Sequence, residues 1–419
     1  MKPLAPYHPQ RRALSIISTG DKHAVASYGG YALYGSGMWR LKDRIDRRWM
    51  RKYQQLPEMP GLVFADAENS LHMRCGGCGA KVAADILQRA LSQLTVPARP
   101  DIIIGLDTPD DAAVIALPVG KFLVQTVDHF RWFIDDPYLM GKITASHCLG
   151  DIHAMGAMPH SALAIVTLPF GNAEKLENDL SALLAGACEV LNREGAPLIG
   201  GHTGEGAELA FGLTINGVAD PGSWLRKSGA KAGDVLILTK PLGTGALLAA
   251  NMRAKAKAAW MQTAIAMMLQ SSGAAAECLR AHGVTACTDV SGFGLLGHLG
   301  EMLRASETSA DIQLDFLPVL DGAKEIIASG IVSTIDPANR RNAASLITGG
   351  EQARDHPNYG LLFDPQTAGG LLAAAPEDKS QLCVAALRDL GYTDAAMIGR
   401  VKARDGEESA ASLHQAGGY

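Results

Sequence analysis

Aromatic side chains are scarce: Phe, Trp and Tyr make up 5% of the 419 residues, while hydrophobic residues as a whole reach 47%. The cores must therefore be built from small aliphatic side chains. That suits an α/β or α+β enzyme better than a disordered or a disulfide-built chain. No apolar run approaches the roughly 18 residues of a membrane span, so none is expected. The start shows no charged segment leading into an apolar segment and a cleavage site, so no secretory signal is expected either. Cysteines number seven, and apart from Cys75 and Cys78 they are scattered at 148, 188, 278, 287 and 383, which fits free thiols in a reducing cytoplasm. A net charge of −5 gives no general pull toward nucleic acid. The pattern GxxxxGK[ST] is absent, which disfavours a Walker-type phosphate loop, and a Rossmann dinucleotide site is likewise not expected.

Residues 1 to about 60 differ from the rest. They carry clustered arginines, four tyrosines before residue 35 and a Pro-containing exit at 57-PEMPG-61. Within them, 40-RLKDRIDRRWMRK-52 sets seven basic residues against two acidic ones. Such a face can meet an anionic surface or RNA, but a solvated or docking helix is the preferred reading. Beyond the connector 65-ADAENSLHMR-74, strands and helices alternate. Strands are expected at 122–127, 162–168 and 211–219, with amphipathic helices near 138–156 and 173–194. The 162–168 run is apolar almost throughout, as for a strand covered on both faces. The turn-rich 220-DPGSWLRKSGAKAGD-234 marks the best domain boundary, and 235-VLILTKPLG-243 opens a second α/β block.

Three sets of residues could carry chemistry. The first is 75-CGGCGAK-81, a glycine-rich loop that ends near the start of a helix beginning about Val82, where anions bind and thiols ionise more readily. A zinc half-site would need a second pair, and no other CxxC or HxxxH exists. A dithiol redox centre and a nucleophilic or chalcogen-handling thiol both remain open. The second set is Asp110, Asp111, Asp128, Asp151 and Asp289, at strand ends beside small residues. Several carboxylates can surround a triphosphate only if hard dications neutralise them, although each Asp alone is more often a cap or turn residue. The third set is the glycine clusters 199-IGGHTGEG-206, 242-LGTG-245, 291-SGFGLLG-297 and 368-AGG-370. Their backbone N–H groups could hold phosphates or simply make turns. His147, His153 and His160 read as ordinary polar or packed histidines.

With the cysteine loop, 107-DTPDDAAV-114, 200-GGHT-203 and 288-TDVSGFGLLGH-298 in one order, the sequence resembles the selenophosphate synthetase (selenide, water dikinase) family over about residues 65 to 405. The resemblance implies an α/β (α+β) fold of two domains, aminoimidazole ribonucleotide synthetase-like (PurM-like), with the first pairing across a homodimer. It implies a division into 1–62, 63–225 and 226–419. It matches Cys78 to the family's catalytic cysteine and Lys81 to its essential lysine, which also faces the nucleotide. Asp111, Asp151 and Asp289 fall on Mg²⁺ ligands. Thr108, Pro109, Asp110, Asp128 and Asp151 fall on nucleotide-binding positions, and Gly200, Gly201, His202 and Thr203 on a loop reaching the nucleotide across the dimer. Two departures stand out: Ala80 where many relatives have a second cysteine, and His147 where relatives usually have Asn. The implied reaction converts ATP, selenide and water to selenophosphate, AMP and phosphate in the cytoplasm, with Mg²⁺ and K⁺. Selenide or a selenium-delivery protein would be the partner, and no nucleic acid would be bound directly. The rival readings are a superfamily small-molecule kinase giving ADP and a non-catalytic selenium-binding or docking protein.

The first 60 residues resemble something else. 13-ALSIISTGDKHAVASYGG-30 and 39-WRLKDRIDRRWMRKY-53 look like the C-terminal end of a flavin-dependent pyridine nucleotide-disulfide reductase of the NADH dehydrogenase type. The flavin and nucleotide domains of such a reductase have no counterpart here, so FAD is not expected. The loop assignments predict that Cys78→Ser and Lys81→Ala each abolish most selenide-dependent ATP turnover; unchanged turnover in both variants would remove the loop from the chemistry.

Overall fold

The computed structural model describes residues 13–54, 102–104, 113–116, 120–169, 173–348, 352–404, 406 and 410–415. Contacts divide the chain into two compact units, Met1–Met73 and Arg74–Tyr419.

The first unit is an antiparallel meander of β1 (Ser15–Gly20), β2 (His23–Tyr28) and β3 (Tyr31–Gly35), followed by α1 (Ser36–Gln54), which lies against β2. Both hairpins turn through two residues with positive φ, Asp21 and Lys22 in the first and Gly29 and Gly30 in the second. That backbone matches the right-handed twist of paired strands. The basic run of α1 is a solvated face, laced by the i,i+4 pairs Lys42–Asp46 at 2.5 Å and Arg47–Asp43 at 2.8 Å.

Among its described residues the second unit contains two sheets. In the first half β4 (Ile102–Ile104), β5 (Ala113–Ala116), β6 (Phe122–Arg131), β7 (Met158–Pro169), β8 (Leu198–Gly206) and β9 (Ala210–Ala219) are ordered β4-β5-β6-β9-β7-β8. Only β7 and β8 are parallel, since a helix joins them. Helices α2 (Pro137–Ala154) and α3 (Ala173–Arg193) belong to this half, and both pack on the sheet. Helix α2 begins with Pro137 after Asp136, whose carboxylate accepts the Leu139 N–H at 3.0 Å.

Strand β7 departs from the expectation of burial on both faces. Ala162, Ala164, Val166 and Leu168 are buried, whereas Leu163 and Ile165 are exposed at 37% and 38%. Val127 on β6 and Ile199 on β8 are exposed as well, at 56% and 61%. The apolar run therefore supplies two unlike faces, one covered by helices and one open in the single chain.

In the second half β10 (Val235–Leu238), β11 (Ala286–Asp289), β12 (Thr308–Gln313), β13 (Ile347–Thr348), β14 (Leu371–Ala375), β15 (Ala396–Ala403) and β16 (Ala411–His414) are ordered β11-β14-β10-β15-β12-β16-β13. Helices α4 (Thr244–Met252), α5 (Ala258–Leu269), α6 (Gly273–Ala281), α7 (Gly294–Ser306), α8 (Ala323–Ala328), α9 (Asp336–Ala343) and α10 (Glu377–Asp389) accompany it. Strands β10, β11 and β14 are buried at every position, which accounts for the unbroken aliphatic runs of β10 and β14. One hydrophobic core runs from Val124 in the first half to Leu413 in the second.

Helices α2 and α3 touch through their backbones. A Cβ on Gly141 would stand 2.0 Å from the Leu183 carbonyl oxygen, and one on Gly186 would stand 2.0 Å from the Tyr138 carbonyl oxygen. Neither obstacle is a movable side chain. Gly141→Ala and Gly186→Ala should each destabilise the protein by about 1–3 kcal/mol or more, as overpacking does; a urea midpoint unchanged in either would show that the helices do not meet this closely.

Candidate functional site

The N-terminal polar groups of α2, Tyr138 and Lys142, bind Glu189 on α3, whereas His147 and Asp151 in its C-terminal half face the sheet and the second half. Thr126 on β6 donates its hydroxyl to Asp151 Oδ2 at 2.5 Å, which fixes the carboxylate against the strand. His147, one turn earlier, is buried with its ring edge-on to Phe130. Its Nδ1 accepts the Ala368 N–H at 2.8 Å, so the ring proton belongs on Nε2, which lies 3.4 Å from Asp128 Oδ2. His147 thus joins Asp128 in the first half to the 364–370 loop in the second.

Asp289 closes β11 and is buried. A Cβ on Gly150 would come within 3.9 Å of Asp289 Oδ2, so this carboxylate approaches α2 beside Asp151. Asp128, Asp151 and Asp289 are thereby brought to one side of α2 from three elements. Their oxygens do not come within a mutual 4.8 Å, so the three alone do not form a compact cage. An all-oxygen donor set of this kind suits a hard dication that keeps some ligands from water or phosphate.

Gly200, Gly201, His202 and Thr203 lie elsewhere in the sheet, on the edge strand β8, and all four are exposed. Gly201 has φ +156°, and a Cβ there would stand 2.2 Å from the Ala164 carbonyl oxygen. Cys78, Lys81, Thr108, Pro109, Asp110 and Asp111 lie outside the described residues, as do Cys75 and Ala80.

The glycine clusters of the second half are packed rather than open. Gln366 Oε1 accepts the N–H groups of Gly243 and Thr244 and the Thr244 hydroxyl, at 3.0, 3.2 and 3.1 Å. Its Nε2 donates to Asp364 Oδ2 at 3.0 Å. The N–H groups of 242-LGTG-245 that could have held phosphate are thus already used. The string 292-GFGLLG-297 does spell GxGxxG between β11 and α7, a pattern that the expectation of no dinucleotide site passed over. Its setting is not a βαβ unit: β11 pairs antiparallel with β14, and Asn339 Nδ2 donates to the Gly292 carbonyl at 3.1 Å.

Gln366 and the buried cation Lys240 carried no signal as isolated residues. Lys240 Nζ donates to the carbonyls of Gln270 at 2.6 Å and Ala368 at 3.3 Å. Burial lowers its pKa to about 7. Burial pushes the Asp364 carboxyl up to about 7, against backbone N–H donors at Ala246 and Gly245 that favour the charged form.

Two protein families match the second unit: AIR synthase related protein, N-terminal domain, over residues 109–219, and AIR synthase related protein, C-terminal domain, over residues 231–411. The chain is 35% identical over 329 residues to a protein of Caldanaerobacter subterraneus named selenide, water dikinase, covering 78% of this chain and 94% of that one. It is 38% identical to the protein of that name from Burkholderia ambifaria, covering 78% and 92%. Among solved structures, thiamine-monophosphate kinase from Stenotrophomonas maltophilia superposes with a TM-score of 0.54 at 22% identity, covering 81% of this chain and 98% of that chain. A chain of the HypE–HypF complex superposes with a TM-score of 0.57 at 16% identity, covering 80% and 97%. The fold is the two-domain AIR synthase-related architecture.

Asp364 makes the site's support pH-dependent. Its folded pKa, near 7, lies above the ordinary 3.8, so its contribution to stability is complete below 3.8 and is lost as pH rises through about 7. The melting temperature of the wild type minus that of Asp364→Asn should therefore fall between pH 5 and 8, with Lys240 common to both; a constant difference would mean that Asp364 does not titrate there.

Proposed function

The chain belongs to the selenide, water dikinase family, and we propose that it makes selenophosphate from ATP, selenide and water, releasing AMP and phosphate. The observation that carries the reading is the convergence of Asp128, Asp151 and Asp289 beside α2 in a chain with this family's sequence. One phosphorus–oxygen bond of the triphosphate is replaced by a phosphorus–selenium bond, and water splits the second anhydride. Selenide is strongly nucleophilic, so no general base is demanded, and catalysis rests on positioning and charge.

Asp151 and Asp289, with Asp111, are the carboxylates that would hold Mg²⁺, and their hard oxygens fit it. Bound there, Mg²⁺ supplies charge neutralisation to the triphosphate. Thr126 orients Asp151, and His147 orients Asp128 as a neutral hydrogen-bond donor; both are positioning residues. Cys78 handles the selenium nucleophile, Lys81 offsets phosphate charge, and Thr108, Pro109 and Asp110 line the nucleotide with Asp128. K⁺ serves as a further cation, and selenide arrives free or from a delivery protein in the cytoplasm.

A homodimer is part of the proposal. Val127, Leu163, Ile165 and Ile199 leave an apolar sheet face without cover in the single chain, bordered by the exposed β8 that carries Gly200 to Thr203. A second copy on this face would bring those four residues to the neighbouring nucleotide. Residues 1–62 are read as the reductase remnant, 63–225 as the ATP-binding and dimerisation domain, and 226–419 as the C-terminal domain. No helix among the described residues is long and apolar enough to cross a membrane.

Phosphorus-31 NMR of the purified chain with ATP, Mg²⁺ and K⁺, run anaerobically with and without selenide, tests the reading. AMP and a phosphorus–selenium resonance should appear only with selenide. ADP as the sole nucleotide product would instead make the chain a small-molecule kinase.

A further inference from the structure

Helices α6 and α10 pack together at the C-terminal end of α2, where Ala154 joins a small core with Ile237, Leu279 and Leu387. Cys278 and His282 lie four residues apart at the end of α6, a spacing that puts both side chains on one face. Cys383, a hundred residues later, reaches the same spot from α10. One ligand atom from each of the three lies within 4.8 Å of the others. We propose that Cys278, His282 and Cys383 form a binding site for a soft d¹⁰ cation, Zn²⁺ with solvent in the fourth position or Cu⁺ with three ligands.

The donor chemistry argues for that class of ion. Two sulfurs and an imidazole are soft to borderline ligands that select Zn²⁺ or Cu⁺ over Mg²⁺, so the site does not compete with the aspartates beside α2. His282 Nδ1 lies 2.8 Å from the Cys278 carbonyl oxygen and 3.7 Å from Cys278 Sγ. Nδ1 is thus the ring nitrogen facing the sulfur, and a bound ion would take its lone pair in place of the contact with the carbonyl. The Cys278 thiol meets the Cys383 thiol, the Cys383 carbonyl at 4.0 Å and the imidazole, so the two sulfurs and the ring share one spot.

Burial raises the pKa of both thiols, that of Cys383 to about 12 with the Cys278 thiol adding to the shift. Without metal the pair is protonated and poorly reactive, and binding expels two protons. Cys383 is fully buried, while His282 is half-buried between the exposed Ala281 and Gly283 at the end of α6, the side from which an ion could enter. A bound ion would tie α6 to α10 across the end of the second sheet.

The test is anaerobic titration of the reduced full-length chain with Zn²⁺, and separately with Cu⁺, against a chromophoric chelator. A background of Cys75→Ser with Cys78→Ser keeps the loop thiols from contributing. One equivalent of either metal should bind in that background and raise the melting temperature. Adding His282→Asn or Cys383→Ala should weaken binding by at least the roughly 10-fold that loss of even an outer partner costs, and should abolish the thermal shift. His282→Asn alters a half-buried side chain just past the end of α6 and outside the apolar core, so it reports on the site even if Cys383→Ala disturbs the core. Failure of both metals to bind in the background chain, or equal binding after His282→Asn, would overturn the proposal.

Discussion

The backbone contact between α2 and α3 is the constraint on which the site depends. At Gly141 and Gly186 the two helices approach until no side-chain atom fits between them. Backbone packed on backbone has none of the slack that flexible side chains provide. It fixes the depth and rotation of α2, a helix buried along nearly its whole length. Everything functional on it inherits that placement: His147 toward Asp128, Gly150 toward Asp289, Asp151 toward Thr126.

The second half answers with polar satisfaction rather than flexibility. Gln366 saturates the start of α4 and holds Asp364, while its own N–H donates to the Ser291 carbonyl at 2.9 Å. A buried amide this completely bonded has a single low-energy orientation, because any rotation strands several groups at once. The loop from Asp364 to Gly370 therefore behaves as an extension of β14, and Ala368 offers its N–H to His147 from a fixed point. Glycine here serves close packing: a Cβ on Gly369 would meet the Val290 carbonyl oxygen at 2.1 Å.

Much of this was legible in the chain because local patterns report local structure. Apolar runs at 162–168 and 211–219 and helical spacing at 138–156 and 173–194 correspond to β7, β9, α2 and α3. What burial each face would meet was not legible: an alternation such as Ala162, Leu163, Ala164, Ile165 is apolar at every position, so it cannot say which side is covered. Asp128, Asp151 and Asp289 were singled out among aspartates several of which were expected at strand ends beside small residues; only Asp289 closes its strand, Asp128 lying within β6 and Asp151 on α2. His147 read as an ordinary packed histidine, since its role depends on a backbone N–H more than 200 residues away. Cys278 and Cys383 read as scattered thiols for the same reason. Their meeting is a product of helix packing, and only the Cys278–His282 spacing left a local trace.

The joining of the two halves has a consequence for how a nucleotide enters. His147 bonds to Ala368, the Leu225 N–H donates to the Met155 carbonyl at 2.8 Å, and one apolar core runs through both sheets. Many phosphoryl-transfer enzymes open and shut by swinging one lobe against another about a hinge. Here such a swing would break buried hydrogen bonds and split a continuous core. Admission and release of substrate must therefore be handled by surface segments moving over a wall that stays still.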